Sequence, residues 1–180
     1  MDRSKPIEQA FRFCPRCATE AEPVGEVPFR CDQCGFAFFF GPVTAVGGIL
    51  CDAEQQILLI ERARDPGRGL FGLPGGFVDR GETAEGALRR EIREEVGLEL
   101  TSYQFLTTLP NQYTYKELTA AVLDIFFVCS VESFDAIVAE PDEVARCWIG
   151  KPTDEQLANM AFESNRLALL KYLGHHGKEE

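Results

Sequence analysis

Nowhere in the 180-residue chain is there an apolar run of about eighteen residues, the length that marks a membrane helix, and no secretory leader opens the sequence. A soluble, cytoplasmic protein is expected. Basic stripes are missing as well: 18 Lys and Arg stand against 29 Asp and Glu, a net charge of −11, so no nucleic-acid partner is expected where nothing neutralises phosphates. Histidine occurs only twice, as His175 and His176 in a polar tail, and is expected to take no part in chemistry. Internal repeats and low-complexity tracts are absent. The length suggests one domain, or one with a small appendage, and 45% apolar residues suffice for a core. An acidic protein that handles anionic phosphates would need metal ions to bring them in.

Four of the seven cysteines form two Cys-x-x-Cys pairs, Cys14/Cys17 and Cys31/Cys34, with thirteen residues between the pairs. Two residues between cysteines let a tight turn aim both sulfurs at one tetrahedral ion, and Gly35 suits the bend after the second turn. The pattern reads as a structural zinc ribbon over residues 1–40, since four protein sulfurs leave the ion no open position for a substrate. Two disulfides or a redox pair are the alternatives, disfavoured by a reducing compartment and by the duplicated spacing. Residues 1–40 carry five basic and six acidic side chains, so nothing there resembles a nucleic-acid grip. The aromatic cluster Phe36, Phe38, Phe39 and Phe40 reads as a packing joint between the ribbon and the main domain, rather than a base-stacking platform. Residues 1–10 are polar and expected to fray. Cys51, Cys129 and Cys147 lie in strand-like segments and read as buried apolar residues.

The second strong signal is the stretch from Gly76 to Leu98. Leu88, Ile92 and Val96 repeat every four residues, Ala84 and Ala87 widen the apolar side, and Gly97 suits a left-handed C-cap, so the spacing predicts a helix over 83–96. Glu91, Glu94 and Glu95 then share about 100° of arc beside that stripe. Like charges so placed repel, and a hard divalent ion such as Mg²⁺ would turn the repulsion into a site. The plainer alternative is a solvated face with Arg89, Arg90 and Arg93 as interleaved partners.

Gly72, Pro74, Gly75 and Gly76 crowd the loop just before this helix, and Gly76, Glu82, Arg90, Glu91, Ile92, Glu94, Glu95, Gly97 and Leu98 stand at fixed intervals. The spacing resembles the Nudix hydrolase box at every position. Seven fixed identities at about one in fifteen each, over about 160 starting points, match by chance on the order of once in a million. The resemblance implies an α/β/α sandwich with a mixed sheet over residues 41–180. It implies that Glu91, Glu94 and Glu95, with the Gly76 carbonyl, hold Mg²⁺ or Mn²⁺, and that Glu82 and Arg90 form a supporting salt bridge. The general base in the family is a box glutamate in some members and a glutamate on a distant loop in others, and both remain open here. Glu143, five residues before Trp148 in AEPDEVARCWIG, resembles a metal-ligand glutamate of the NADH pyrophosphatases; Glu140 is the second choice, and a plain surface acid is the alternative.

The remaining chain alternates strands (44–51, 56–61, 103–109, 118–131, 144–149) with helical segments around Leu157 and over 164–173, which suits a mixed sheet between helices. Asp52 to Gln55 reads as a turn and residues 62–69 as an exposed loop, with Arg62 a candidate substrate contact. Tyr113, Tyr115 and Phe162 are candidates for stacking on a nucleobase, with core or rim packing as the alternative. A zinc ribbon before such a domain resembles the branch that cleaves NADH, FAD and ADP-ribose, although TLPNQYTYKE replaces that branch's NADH-associated stretch. The expected activity is metal-dependent hydrolysis of a nucleoside diphosphate linked to another moiety, on a small-molecule nucleotide, with a homodimer as the candidate assembly. A nucleoside triphosphate house-cleaning pyrophosphatase, and a non-catalytic nucleotide sensor that uses the ribbon for interaction, are the alternatives.

Overall fold

The structure is a computed structural model and describes residues 4–176. Its elements in order are β1 (Lys5–Pro6), a 3-10 turn (Ile7–Ala10), β2 (Phe29–Arg30), β3 (Ala37–Phe38), β4 (Val43–Cys51), β5 (Ile57–Arg62), β6 (Phe71–Gly72), α1 (Ala84–Val96), β7 (Ser102–Tyr115), β8 (Leu118–Ser130), β9 (Val144–Gly150), α2 (Asp154–Ala158) and α3 (Glu163–His176). The side chains of His175 and His176 lie outside the described residues. Among the described residues no helix is long and apolar enough to cross a membrane.

Among the described residues, 4–43 and 112–122 form one compact unit, and 44–111 with 123–176 form the other. In the first, the expected fraying of residues 1–10 does not extend to 5–10: β1 pairs in parallel with the start of β8, Lys5 opposite Leu118, which supplies the backbone partners that a polar terminus otherwise finds in water. Two tight turns come next. Ala18 and Gly35 take left-handed conformations (φ 59° and 69°), and the Ala18 and Gly35 N–H groups donate to the Cys14 and Cys31 carbonyls. Short hairpin β2–β3 pairs Phe29 with Phe38. Phe36 and Phe40 pack with Phe11 into the ribbon's own small core around buried Phe29, while Phe39 is 71% exposed.

In the second unit, period-2 alternation divides each central strand between two cores. Val46 and Leu50 of β4 and Leu58 and Ile60 of β5 face one cluster; Ile49, Cys51, Ile57 and Leu59 face the other. The first cluster is covered by Leu88, Ile92 and Val96 of α1, and the second by Ala168, Leu169 and Tyr172 of α3. That is an α/β/α sandwich, as expected. Each of those large side chains contributes about 1.5–3 kcal/mol by leaving water. Strand β5 pairs antiparallel with β4, β6 and β9 in the sheet order β1-β8-β4-β5-β6.

Strand β7 runs on through Pro110 to Tyr115, six residues past the predicted end at 109. A proline lacks the N–H a ladder needs, but β7 pairs only with β8 among the described strands, and an edge accommodates it. The buried Asp124 of β8 accepts hydrogen bonds from Ser164 Oγ at 2.5 Å and Asn111 Nδ2 at 2.9 Å, tying β7, β8 and α3 together. Burial pushes its carboxyl above the usual range, against the pull of those two donors.

Candidate functional site

Helix α1 begins at Thr83, whose hydroxyl accepts the Gly86 N–H at 3.1 Å, and ends at Gly97 in the left-handed conformation (φ 69°). Burying Leu88, Ile92 and Val96 fixes the helix's rotation, and the rotation decides where its acids go. Glu95 is driven inward to 4% exposure, Glu91 is largely covered, and Glu94 keeps a 60% exposed side chain. Desolvation raises the carboxyl of Glu91 and pushes that of Glu95 up to about 8, with Glu143 adding repulsion at both.

The loop before the helix approaches these acids by shedding side chains. The Gly75 N–H donates to Glu95 Oε2 at 2.8 Å, and a Cβ on Gly75, at φ 145°, would stand 2.1 Å from the Val46 carbonyl oxygen. On Gly76 a Cβ would lie 2.5 Å from Glu91 Cδ. The loop is pinned to β4 by Val46 N–H to the Gly76 carbonyl (2.8 Å) and Gly48 N–H to the Pro74 carbonyl (2.9 Å). The Gly76 oxygen keeps a second lone pair. Gly75→Ala is expected to cost roughly 3 kcal/mol, from backbone strain and overpacking together, read as a lowered midpoint in urea unfolding.

Arg90 is the hub. Its Nε and Nη2 take both oxygens of Glu82 at 3.1 and 2.9 Å, its Nη1 donates to Glu91 Oε1 at 2.7 Å and Glu94 Oε2 at 3.0 Å, and its Nη2 also reaches the Phe77 carbonyl at 3.0 Å. The pairing with Glu82 is the one the family resemblance implied, and the bonds to Glu91 and Glu94 are those the solvated-face alternative gave to Arg90. One guanidinium therefore serves three carboxylates, holding Glu82 below the usual range while Glu91 stays above it.

Glu143 sits on the turn entering β9. Its carbonyl accepts the Ala63 N–H at 2.9 Å, and its carboxylate pairs with Arg64 at 2.8 Å. Its charge is felt at Glu91 and Glu95, so the fold brings it to the helix acids across about fifty residues of sequence. Glu140 directs its carboxylate toward the Asp142 N–H of its own turn, at 3.5 Å, and gives its own N–H to the Glu95 carbonyl. Arg62 stacks over Phe162, 5.2 Å from the ring centre, and its Nε donates to the Pro66 carbonyl at 2.8 Å. Tyr113 and Tyr115 belong to the other unit, where Lys116 Nζ lies 5.3 Å from the Tyr115 ring centre.

Sequence reasoning missed Arg64 and Arg68, which looked like ordinary polar loop residues; their signal was a concentration of three arginines in seven positions of an acidic chain.

Two donor sets stand out chemically. Cys14, Cys17, Cys31 and Cys34 bring their sulfurs within 4.8 Å of one another, with Cys14–Cys34 at 3.7 Å and Cys17–Cys31 at 3.6 Å. A tetrahedral ion bonded to sulfur at about 2.3 Å holds its ligands about 3.8 Å apart, so the cluster fits zinc without rearrangement. Hydrogen bonds with Thr19 lower the Cys17 thiol, while burial and the neighbouring cysteine sulfurs raise that of Cys34. The carboxylates of α1 and Glu143 are not drawn into so tight a group. Their all-oxygen chemistry is of the kind a hard divalent ion takes, and Arg90 and Arg64 are the countercharges the structure places on them.

Comparison with known proteins agrees with this geometry. Over 63 residues the chain is 49% identical to the ADP-ribose pyrophosphatase of Methanocaldococcus jannaschii, covering 35% of this chain and 37% of that protein. It is 27% identical over 166 residues to the NAD-capped RNA hydrolase NudC of Deinococcus radiodurans, covering 89% of this chain and 56% of that protein. The chain thus spans about a third to about a half of these relatives' lengths. A crystal structure of a NUDIX hydrolase from Nitrosomonas europaea shares the fold at a TM-score of 0.65 and 22% identity, covering 92% of this chain and 93% of that one. Residues 41–165, from just before β4 to the first turn of α3, match the NUDIX domain, and the chain belongs to that family.

Proposed function

We propose that the protein hydrolyses the pyrophosphate bond of a nucleoside diphosphate linked to another moiety, of the ADP-ribose, FAD or NADH type, with Mg²⁺ or Mn²⁺ at the helix acids. The observation that carries this reading is the set Glu91, Glu94 and Glu95 on one helix with the charge of Glu143 acting on Glu91 and Glu95, where burial disfavours the charged forms of those two. Glu91, Glu94, Glu95, Glu143 and the second lone pair of the Gly76 carbonyl are the groups that would hold the ions. Bound there, they neutralise charge on the phosphate oxygens and lower the cost of placing a hydroxide-like water in line with the scissile bond.

The chain's own residues do the positioning. Glu82 and Arg90 lock the loop to the helix, so the Gly76 carbonyl and the acids keep one geometry. Gly75 holds Glu95 by its N–H, orienting the remaining oxygen lone pairs. A glutamate then takes the proton of the attacking water as the new P–O bond forms and the bridging P–O bond breaks, the departing phosphate leaving with the electron pair. Glu94 and Glu143 are the two candidates: Glu94 is the most exposed of the helix acids, and Glu143 is held on a turn by Arg64.

The four-cysteine cluster is assigned to one structural zinc. A cytoplasmic location, a small-molecule nucleotide substrate and a homodimer complete the reading; the acidic charge opposes a long RNA substrate. A substrate panel with phosphate-product detection, run with Mg²⁺ and Mn²⁺, tests it. Release of a mononucleotide from ADP-ribose, FAD or NADH is the expected result. Turnover of nucleoside triphosphates alone would favour house-cleaning chemistry, and tight binding of ADP-ribose without turnover would favour a sensor.

A further inference from the structure

The end of β5 and the loop after it carry Arg62, Arg64 and Arg68, three of the chain's 18 cationic residues in seven positions. Two are committed. Arg64 faces Glu143 at 2.8 Å, and Arg62 is fixed by the Pro66 carbonyl and the Phe162 ring. Arg68 is exposed and has no carboxylate partner among the described residues. It lines a cleft of about 480 Å³ with Glu61, Arg62, Pro141 and Asp142, and Asp142 immediately precedes Glu143.

The lining defines what fits. No aromatic ring borders the cleft, so it offers nothing for a flat heterocycle to stack on. Its side chains pair guanidinium donors, the geometry that grips phosphate oxygens, with carboxylates that accept from hydroxyls. A cation without a carboxylate partner, beside an acidic hydrolytic site, is available to an anionic ligand rather than to the protein.

We propose that this cleft receives the sugar-phosphate half of the substrate, with Arg68 contacting the phosphate and Glu61 and Asp142 accepting hydrogen bonds from the sugar hydroxyls. The inference rests on the pyrophosphohydrolase reading above and narrows it: ADP-ribose, whose second half is a phosphorylated sugar, is favoured over FAD and NADH, whose second halves end in rings. Arg68 is thereby a specificity-determining residue, outside the acid set that performs the reaction.

The test compares the full-length protein with Arg68→Ala and Arg68→Glu. With Mg²⁺ and ADP-ribose, KM is expected to rise at least tenfold in Arg68→Ala and further in Arg68→Glu, with kcat within threefold of the parent. In a separate calorimetric titration in EDTA, where no turnover occurs, ribose 5-phosphate should weaken ADP-ribose binding to the parent and leave its weaker binding to Arg68→Ala unchanged. Equal KM and equal dissociation constants, within twofold, in all three proteins would overturn the proposal, as would a parent that cleaves FAD in preference to ADP-ribose. If the parent fails to turn over ADP-ribose while the binding difference persists, the reaction assignment falls and the cleft assignment stands.

Discussion

Glu94→Gln and Glu95→Gln are each expected to lower kcat by about three orders of magnitude or more while the protein stays folded. An amide cannot act as a carboxylate ligand or accept a proton, so any transition-state charge that depends on the ion is lost with it. Stability should respond differently. Glu94 is mostly solvated and its contact with Arg90 is one of several, so its removal changes little. Glu95 is buried where its charged form is disfavoured, and an amide keeps an acceptor for the Gly75 N–H, so Glu95→Gln should unfold at a temperature no lower than the parent. Steady-state kinetics on an ADP-ribose substrate, paired with thermal unfolding, separates the two effects. More than a tenth of the parental kcat in both variants would remove these residues from the ion site. Loss of activity accompanied by loss of folding would instead make the cluster structural.

Loss of the zinc proposed for the four cysteines is the second large effect expected. The ribbon's core consists of little more than Cys14, Ala21, Phe29 and Cys31 with the surrounding phenylalanines, too little apolar area to order some thirty residues by itself. A structural zinc site supplies about 10–16 kcal/mol of apparent binding energy at neutral pH, most of it spent in ordering the chain. Cys31→Ser should therefore abolish the one zinc per chain and erase amide-exchange protection over residues 11–40. Protection in α1, whose buried face packs against the second unit's own sheet, should persist. Metal analysis of native protein that finds no zinc, or a Cys31→Ser variant with the ribbon's protection intact, would defeat the assignment.

Local pattern was enough for much of this. Four-residue apolar spacing and a C-terminal glycine placed α1 within a residue, because a helix is specified by contacts three and four apart. The paired cysteines were legible for the same reason: each turn is made within five residues. Where the interpretation went astray, distant parts of the chain had the decision. Lys5 and Pro6 form a strand only by pairing with one more than a hundred positions away. Pro110 lies inside β7 because that strand is an edge, a property of the sheet rather than of the tripeptide around it.

The composition and the spacing of Gly76, Glu82, Arg90, Glu91, Glu94, Glu95 and Gly97 by themselves determined the family and the helix that carries the acids, since chemistry confined to one helix and its entry loop is written in consecutive residues. Tertiary structure alone decided that Arg90 also reaches the Phe77 carbonyl and that Glu95 is buried against Gly75. It also decided that Glu143 pairs with Arg64 and that Arg68 lines a cleft. The physical reason is that burial and electrostatic range are set by which segments the two cores bring together, and no spacing along the chain encodes that distance.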